Sequence, residues 1–315
     1  MKKKIAFLLI LFALLSPRDS FAKSKLPSPD EKTIISKEQS ENNYGIVSGD
    51  AVYDLKNEPI DVVIPCHPKD TQLLDRCIWG IRANGKNIRR VIVVSSVQIT
   101  EQAEWFPENA FPFTKDDLLK VIFNNDQNRC NAYASNKNNR TGWMFQQLLK
   151  LYAPFVIPDI SSNVLVLDAD AVFLKPTAFL TPEGGAYLTA ATEYFACYFE
   201  HAQRLIPNFR RVAKVSGIAH HMLFQRAILE DLLQTIETAH RVPAWQAICA
   251  CIDMNEIFLS PFSEYEIYFN FCLARTKQIK LRQMLWGNVT SLKDVRGKQA
   301  QGYTFVTCHS HERKS

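Results

Sequence analysis

Residues 163–176, NVLVLDADAVFLKP, constrain the fold of this 315-residue chain more than any other stretch. A run of Val and Leu that does not alternate with polar residues reads as a strand covered on both faces, as in a parallel sheet flanked by helices. Other segments agree. Residues 60–65 (IDVVIP) form a first buried strand, and 71–84 an amphipathic helix that ends at Gly85. A second strand spans 89–96, a third 118–126, and a helix runs over 142–153 with its breaker at Pro154. Strands alternating with helices predict an α/β fold, a mixed and mostly parallel sheet with helices on its faces. With 47% hydrophobic and 22% charged residues the chain is neither collagen-like, coiled-coil nor disordered. Its 37 Lys+Arg against 32 Asp+Glu leave +5, part of it in Lys2 to Lys4, so no nucleic-acid partner is expected.

The N-terminus has the layout of a secretory signal peptide: Lys2 to Lys4, an apolar run over 5–15, then Ser20 and Ala22 at positions −3 and −1 of a cleavage site. That run of about 11 residues falls short of the about 20 that cross a bilayer. The expected organisation is a signal peptide over 1–22, a polar flexible stem over 23–50 and a single folded domain over 51–315. This places the domain in the secretory pathway or outside the cell. An uncleaved N-terminus is the alternative, and it would tether the chain peripherally to a membrane. The eight cysteines are widely spread and match no zinc spacing, so buried thiols are expected, with one or two disulfides as the alternative.

The chemistry sits at the end of the long apolar run. Asp168 and Asp170 have i, i+2 spacing and can point to one face at a strand's C-terminal end, where open α/β sheets bind ligands. Two carboxylates about 6 Å apart repel by roughly 3 kcal/mol at an effective dielectric near 20. A divalent cation turns that repulsion into a site, and all-oxygen ligands select Mg²⁺ or Mn²⁺, which bridge to nucleotide phosphates. An Asp pair that merely caps a strand is the plainer alternative.

In this context the chain resembles the GT-A-fold nucleotide-sugar glycosyltransferases, whose DXD motif ends a hydrophobic strand in the same way. The resemblance runs over about residues 60–310: DVVIPCHPKD (61–70), GWMFQQLLKLYAP (142–154), the motif strand, FSEYEIYFNF (262–271) and YTFVTCHSH (303–311) match in order. Overall the sequence is most similar to a poorly characterised bacterial glycosyltransferase-like family with a GWxxQQ helix and an SEYE segment. It implies a GT-A-like, Rossmann-like fold and a metal-dependent transferase of the hexosyltransferase type, acting in polysaccharide biosynthesis. The donor would be a nucleotide-diphosphate sugar, a UDP-sugar first and a GDP-sugar second. The acceptor would be a glycan, a lipid-linked glycan or a protein.

Position by position, the resemblance implies that Asp170 is a direct ligand of Mn²⁺ or Mg²⁺, with Asp168 beside it, near the ribose or a metal-bound water. His309, with His311 as the alternative register, would complete the metal site. Pro65, His67 and Asp70 follow the first strand, where this fold seats base and ribose. Lys150 would neutralise phosphate charge, with Gln147 one turn earlier on the same side; a solvated helix face accounts equally for both. Ser263 caps a helix start at which Glu264, or else Glu266, could take the acceptor's proton. Plain first-turn capping is the alternative for that Glu pair. Trp143 and Trp245 offer faces for sugar rings or else fill the core, and His220-His221, ahead of a helix, would line the acceptor side. Two readings compete with a transferase: an exported carbohydrate-binding or effector module without catalysis, and a hydrolase using the Asp pair, whose shared strand makes separate acid and base roles awkward.

Overall fold

The structure, a computed structural model, describes residues 50–291 and 293–308. The expected signal peptide, the stem before Asp50, His309 and His311 lie outside the described residues. In chain order come β1 (Ile60–Pro65), a 3₁₀ turn (Pro68–Leu73), α1 (Leu74–Asn84), β2 (Ile88–Ser95), β3 (Glu104–Pro107), α2 (Lys115–Ile122), α3 (Gln127–Ala134) and α4 (Thr141–Val156). Then follow β4 (Asn163–Leu167), β5 (Ala171–Phe173), β6 (Tyr187–Thr189), α5 (Ala196–Leu205), β7 (His221–Gln225), α6 (Arg226–His240) and α7 (Ala244–Ala250). The chain closes with α8 (Glu264–Arg275), β8 (Lys280–Arg282), β9 (Trp286–Asn288), α9 (Asp294–Ala300) and β10 (Phe305–Thr307).

Five strands make the main sheet in the order β3-β2-β1-β4-β7. β1, β2, β3 and β4 are parallel, and β7 closes the edge antiparallel to β4. Every residue of β1, β4 and β7 is buried, as their unbroken apolar runs require of strands with both faces covered. Helix α4 packs on β1 and α6 on β7. This is the mixed, mostly parallel sheet flanked by helices that the sequence predicts. Two small sheets, β5-β10-β9 and β6-β8, lie beside it. From β1 the chain moves to β2 and β3 on one side, while β4 enters on the other. The order therefore reverses between β1 and β4, and the crevice at their C-terminal ends is the ligand position of such sheets.

Four expectations are corrected. Residues 118–126 are not a strand: Thr114 and Asp117 form a reciprocal capping box, and α2 buries Leu118, Leu119 and Ile122 on one helical side. A run that short carries no clear period, and the cap decides it. The third parallel strand is instead the short edge strand β3. Pro154 does not stop its helix. It sits in the last turn of α4, where its missing N–H removes a single bond, and Ile157 N closes on Ala153 O at 3.2 Å. Residues 163–176 are two strands rather than one, because the chain turns at Asp168 to Asp170 and leaves the main sheet for β5. The pair His220-His221 leads into strand β7 and not directly into a helix.

Candidate functional site

The turn between β4 and β5 presents Asp168 at the mouth of the β1/β4 crevice. Its backbone N–H donates to His220 O at 3.0 Å, and its C=O accepts from Ala171 N at 3.0 Å, so the turn is closed on itself and pinned to the residue preceding β7. Three donors converge on the Asp168 carboxylate. Lys150 Nζ reaches Oδ1 at 2.6 Å, Tyr265 OH reaches Oδ1 at 3.2 Å, and His220 Nδ1 reaches Oδ2 at 3.1 Å. Burial pushes the pKa of Asp168 up, but the ammonium of Lys150 and the His220 hydrogen bond outweigh it and hold the carboxyl well below the usual range. An ionised carboxylate only accepts, so His220 carries its proton on Nδ1.

Lys150 also donates to Glu264 Oε1 at 2.8 Å and sits 4.3 Å from the centroid of the Tyr265 ring. Desolvation works against its charge, yet the two carboxylates prevail and raise its pKa well above that of a free lysine. Helix α4 buries Lys150 because Leu148, Leu149 and Leu151 around it pack into the core. Ser263 caps α8 as expected, accepting from Glu266 N at 3.3 Å, and this aims Glu264 and Tyr265 at α4. Side-chain exposure is 3% for Lys150, 1% for Glu264 and 24% for Asp168, so Asp168 is the end of this charge network that a ligand can meet. His220 has φ of 58°, a left-handed backbone that a residue with a Cβ seldom adopts, and its ring packs edge-on to Trp286.

The sequence-predicted residues are distributed as follows. Pro65 is the buried last residue of β1, and His67 and Asp70 follow the strand at the crevice; His67 is exposed and caps the 3₁₀ turn by accepting from Lys69 N, and Asp70 is half-buried within that turn. Gln147 is buried and donates back to Trp143 O in its own helix, whereas Gln146 donates to Pro65 O at 3.0 Å and ties α4 to the end of β1. Lys150 is no solvated face residue, since it is buried and doubly ion-paired. Asp170 is half-buried, and its C=O accepts from Cys308 N at 3.2 Å. Glu264 and Glu266 are 1% and 2% exposed. Burial raises Glu264 against the pull of Lys150, and raises Glu266 to about 7 although Ser216 Oγ and Asn270 Nδ2 donate to it. Gly217 permits the Ser216 contact, because a Cβ there would lie 2.6 Å from the Cβ of Phe269. Trp245 is in the core against Phe113, and Trp143 is half-buried against Phe262. All eight cysteines are free thiols.

Sequence reasoning missed Tyr265 and Gln146 and gave His220 no link to the Asp pair. Tyr265 stood inside the SEYE segment, where the flanking glutamates drew the attention. Its partner Asp168 is 97 residues away, which no local pattern records.

Among the described residues no three His, Cys, Asp or Glu side chains converge as a metal cluster. The donors present nevertheless suit a hard cation that brings its own oxygen ligands. A carboxylate has about four lone-pair positions, and three are taken at Asp168, which leaves one. Asp170 offers a second carboxylate in the same turn, and Mg²⁺ is commonly held by one or two carboxylates plus substrate phosphates.

A family model described as "Family of unknown function (DUF6492)" matches residues 82–299, and the chain belongs to that family. No curated protein matches it. Among solved structures it is similar to the galactosyltransferase LgtC, determined in complex with donor and acceptor sugar analogues. That likeness has a TM-score of 0.41 at 10% identity and covers 79% of this chain and 86% of the other. A likeness of that size carries nothing about the chemistry of this chain. Among the described residues no helix is long and apolar enough to cross a membrane.

Proposed function

We propose that this member of the family is a glycosyltransferase that takes a sugar from a nucleotide-diphosphate donor, UDP-linked first, and passes it to a glycan or protein acceptor at the Asp168 to Asp170 turn. One observation carries the reading. At the switch point of the sheet, an ionised and partly exposed carboxylate is fixed by Lys150, His220 and Tyr265, with a second carboxylate two residues on.

Asp170 and the remaining lone pair of Asp168 would hold Mn²⁺ or Mg²⁺. When bound, such a cation neutralises the charge that develops on a departing diphosphate. The chain's own part is preorganisation. Lys150 fixes Asp168 in place so that no carboxylate reorientation is needed when the donor arrives. His67 and Asp70 follow β1 as the acidic turn follows the adjacent β4, and they would contact base and ribose. Glu266, raised to about 7 and buried, has the acidity of a general base at neutral pH, and it would need an opening of the Ser216 segment to meet an acceptor hydroxyl.

The experiment is a calorimetric titration of UDP and of GDP into the full chain, with Mn²⁺ and with EDTA, beside the double variant Asp168→Ala/Asp170→Ala. The expected result is binding that needs both the cation and the carboxylates. A folded wild-type chain that binds neither nucleotide at about 1 mM would remove the donor site and with it the transferase.

A further inference from the structure

Helix α1 turns one side to the fold and leaves the other without a partner. Inward, Gly80 lets it seat against β5, since a Cβ there would lie 3.0 Å from both N and O of Phe173, and Asn84 Nδ2 donates to Phe173 O at 2.9 Å. Cys77 Sγ donates to Asp168 O at 3.6 Å, so the helix also backs the acidic turn. Outward it presents Asp75, Arg76, Trp79, Arg82 and Ala83. At about 100° per residue, Arg76 and Arg82 flank Trp79 one turn before and one turn after it, within an arc of about 120°. Trp79 is 67% exposed, more than any other aromatic side chain among the described residues. Just past the helix, Lys86 N donates to Thr177 O at 2.8 Å, which brings the exposed Lys86 and Lys175 to its C-terminal end.

Folding alone does not account for this face. The helix dipole favours Arg82 in the last turn but opposes Arg76 in the first, and a large ring left in water forgoes the burial that would stabilise it. Among the described residues no carboxylate pairs with Arg76, Arg82, Lys86 or Lys175, and Asp75, the only acid of α1, is engaged by Thr100 Oγ1 at 2.8 Å. The charge calls for an anion, and the ring at its centre calls for an apolar medium. A lipid surface supplies both, because a Trp rests with its ring at headgroup level and basic side chains are drawn to anionic headgroups. Between the two arginines stand only Trp79 and Ala83, with no hydroxyl or amide for shape-specific pairing, so a plane of many headgroups suits the face better than a contoured protein.

We infer that the outer face of α1 docks on a membrane surface of anionic lipid, with Trp79 at headgroup level and Arg76 and Arg82 on the headgroups. The contact is peripheral and reversible: a few cations at roughly fivefold each and one ring fall well short of a spanning helix. It needs no assumption about the reaction. On the opposite side of the same helix Cys77 touches the acidic turn, so the docked face would hold that turn about one helix diameter, roughly 10 Å, from the lipid.

The test mixes the full chain with vesicles of phosphatidylglycerol and phosphatidylcholine in equal parts, the latter brominated on its acyl chains, and follows tryptophan fluorescence. Wild type should be quenched at about 50 mM salt and bind at least about tenfold more weakly at about 500 mM. Trp79→Phe should lose the quenched component, and vesicles of brominated phosphatidylcholine alone should not quench. Arg76→Glu/Arg82→Glu should weaken partitioning at least about tenfold. Both variants alter only exposed side chains, so their melting temperatures should match that of wild type. Equal quenching of wild type and Trp79→Phe, which a vesicle held by another segment of the chain would give, overturns the inference. So does quenching that is unchanged by the charge reversal or as strong on neutral vesicles. Poly-glutamate stands in for an acidic protein: if it shifts the Trp79 emission while the anionic vesicles do not quench it, the face belongs to a protein partner and the inference falls.

Discussion

Lys150 is a buried cation and Arg282 a half-buried one, and the fold treats them in opposite ways. Lys150 has two carboxylates within 2.8 Å and an aromatic ring beneath it, and its charge is thereby reinforced. Among the described residues Arg282 meets two rings and a backbone carbonyl but no carboxylate, and desolvation weakens its hold on its proton. The difference separates a charge neutralised by carboxylates inside the protein from one that meets rings and neutral oxygens at its margin. Glu266 shows a third solution: burial keeps its carboxyl protonated up to about pH 7, so little charge is buried below that pH.

The sharpest way to break the comparison is Lys150→Met. It strands Glu264, which is 1% exposed, and leaves Asp168 without its ammonium, so urea unfolding should show a loss of about 3–5 kcal/mol. Adding Glu264→Gln should return part of that loss. A single variant within about 1 kcal/mol of wild type would mean that the pair is not the anchor described.

Next in size is a pH effect. The folded-state pKa of Glu266 is raised from 4.5 to about 7, so its contribution to stability is complete below pH 4.5 and is lost as the pH rises to about 7. At 1.36 kcal/mol per unit this amounts to about 3 kcal/mol. Unfolding free energies of wild type and Glu266→Gln over pH 4 to 8 should therefore differ in slope within that window, the amide being flat where the acid falls. Parallel curves would place the Glu266 carboxyl in contact with water.

Asp168→Asn removes one of the two carboxylates on Lys150 and retains Glu264, so a smaller loss of about 2 kcal/mol is expected, together with loss of metal-dependent nucleotide binding. The smallest effect belongs to Arg282→Met, which exchanges a half-buried charge, paired with no carboxylate among the described residues, for apolar volume. Its stability should stay within about 1 kcal/mol of wild type. A loss as large as that of Lys150→Met would erase the distinction between the two cations.

What could be read in the sequence follows from the range of the interactions. The strands β1 and β4 and the second half of β2 are legible because full burial forces unbroken apolar runs, and the start of α8 is legible because its cap lies within three residues, Ser263 to Glu266. Residues 118–126 misled because LLKVI is apolar enough for either state, and only the tertiary setting and the cap at Thr114 decide it. The departure of β5 from the main sheet is hidden for a related reason: AVF is as apolar as the strand before it, and its partner is β10, more than a hundred residues later. At the site, Asp168 and Asp170 could be found from their position after an apolar run. The role of Lys150 could not, because Glu264 lies 114 residues away and a lysine on a helix ordinarily faces water.

The acidic turn is a splice between two sheets. On one side Asp168 N is bonded to His220 O ahead of β7, and on the other Asp170 O accepts from Cys308 N just past β10. The main sheet and the β5-β10-β9 sheet therefore share their junction with the place where a ligand would dock. Local opening of either sheet must disturb the turn, and occupancy of the turn must slow the opening of both. Hydrogen exchange should then report a ligand at Asp168 far from the point of contact, as protection gained together by the amides of β7 and β10, two segments that share no hydrogen bond with each other.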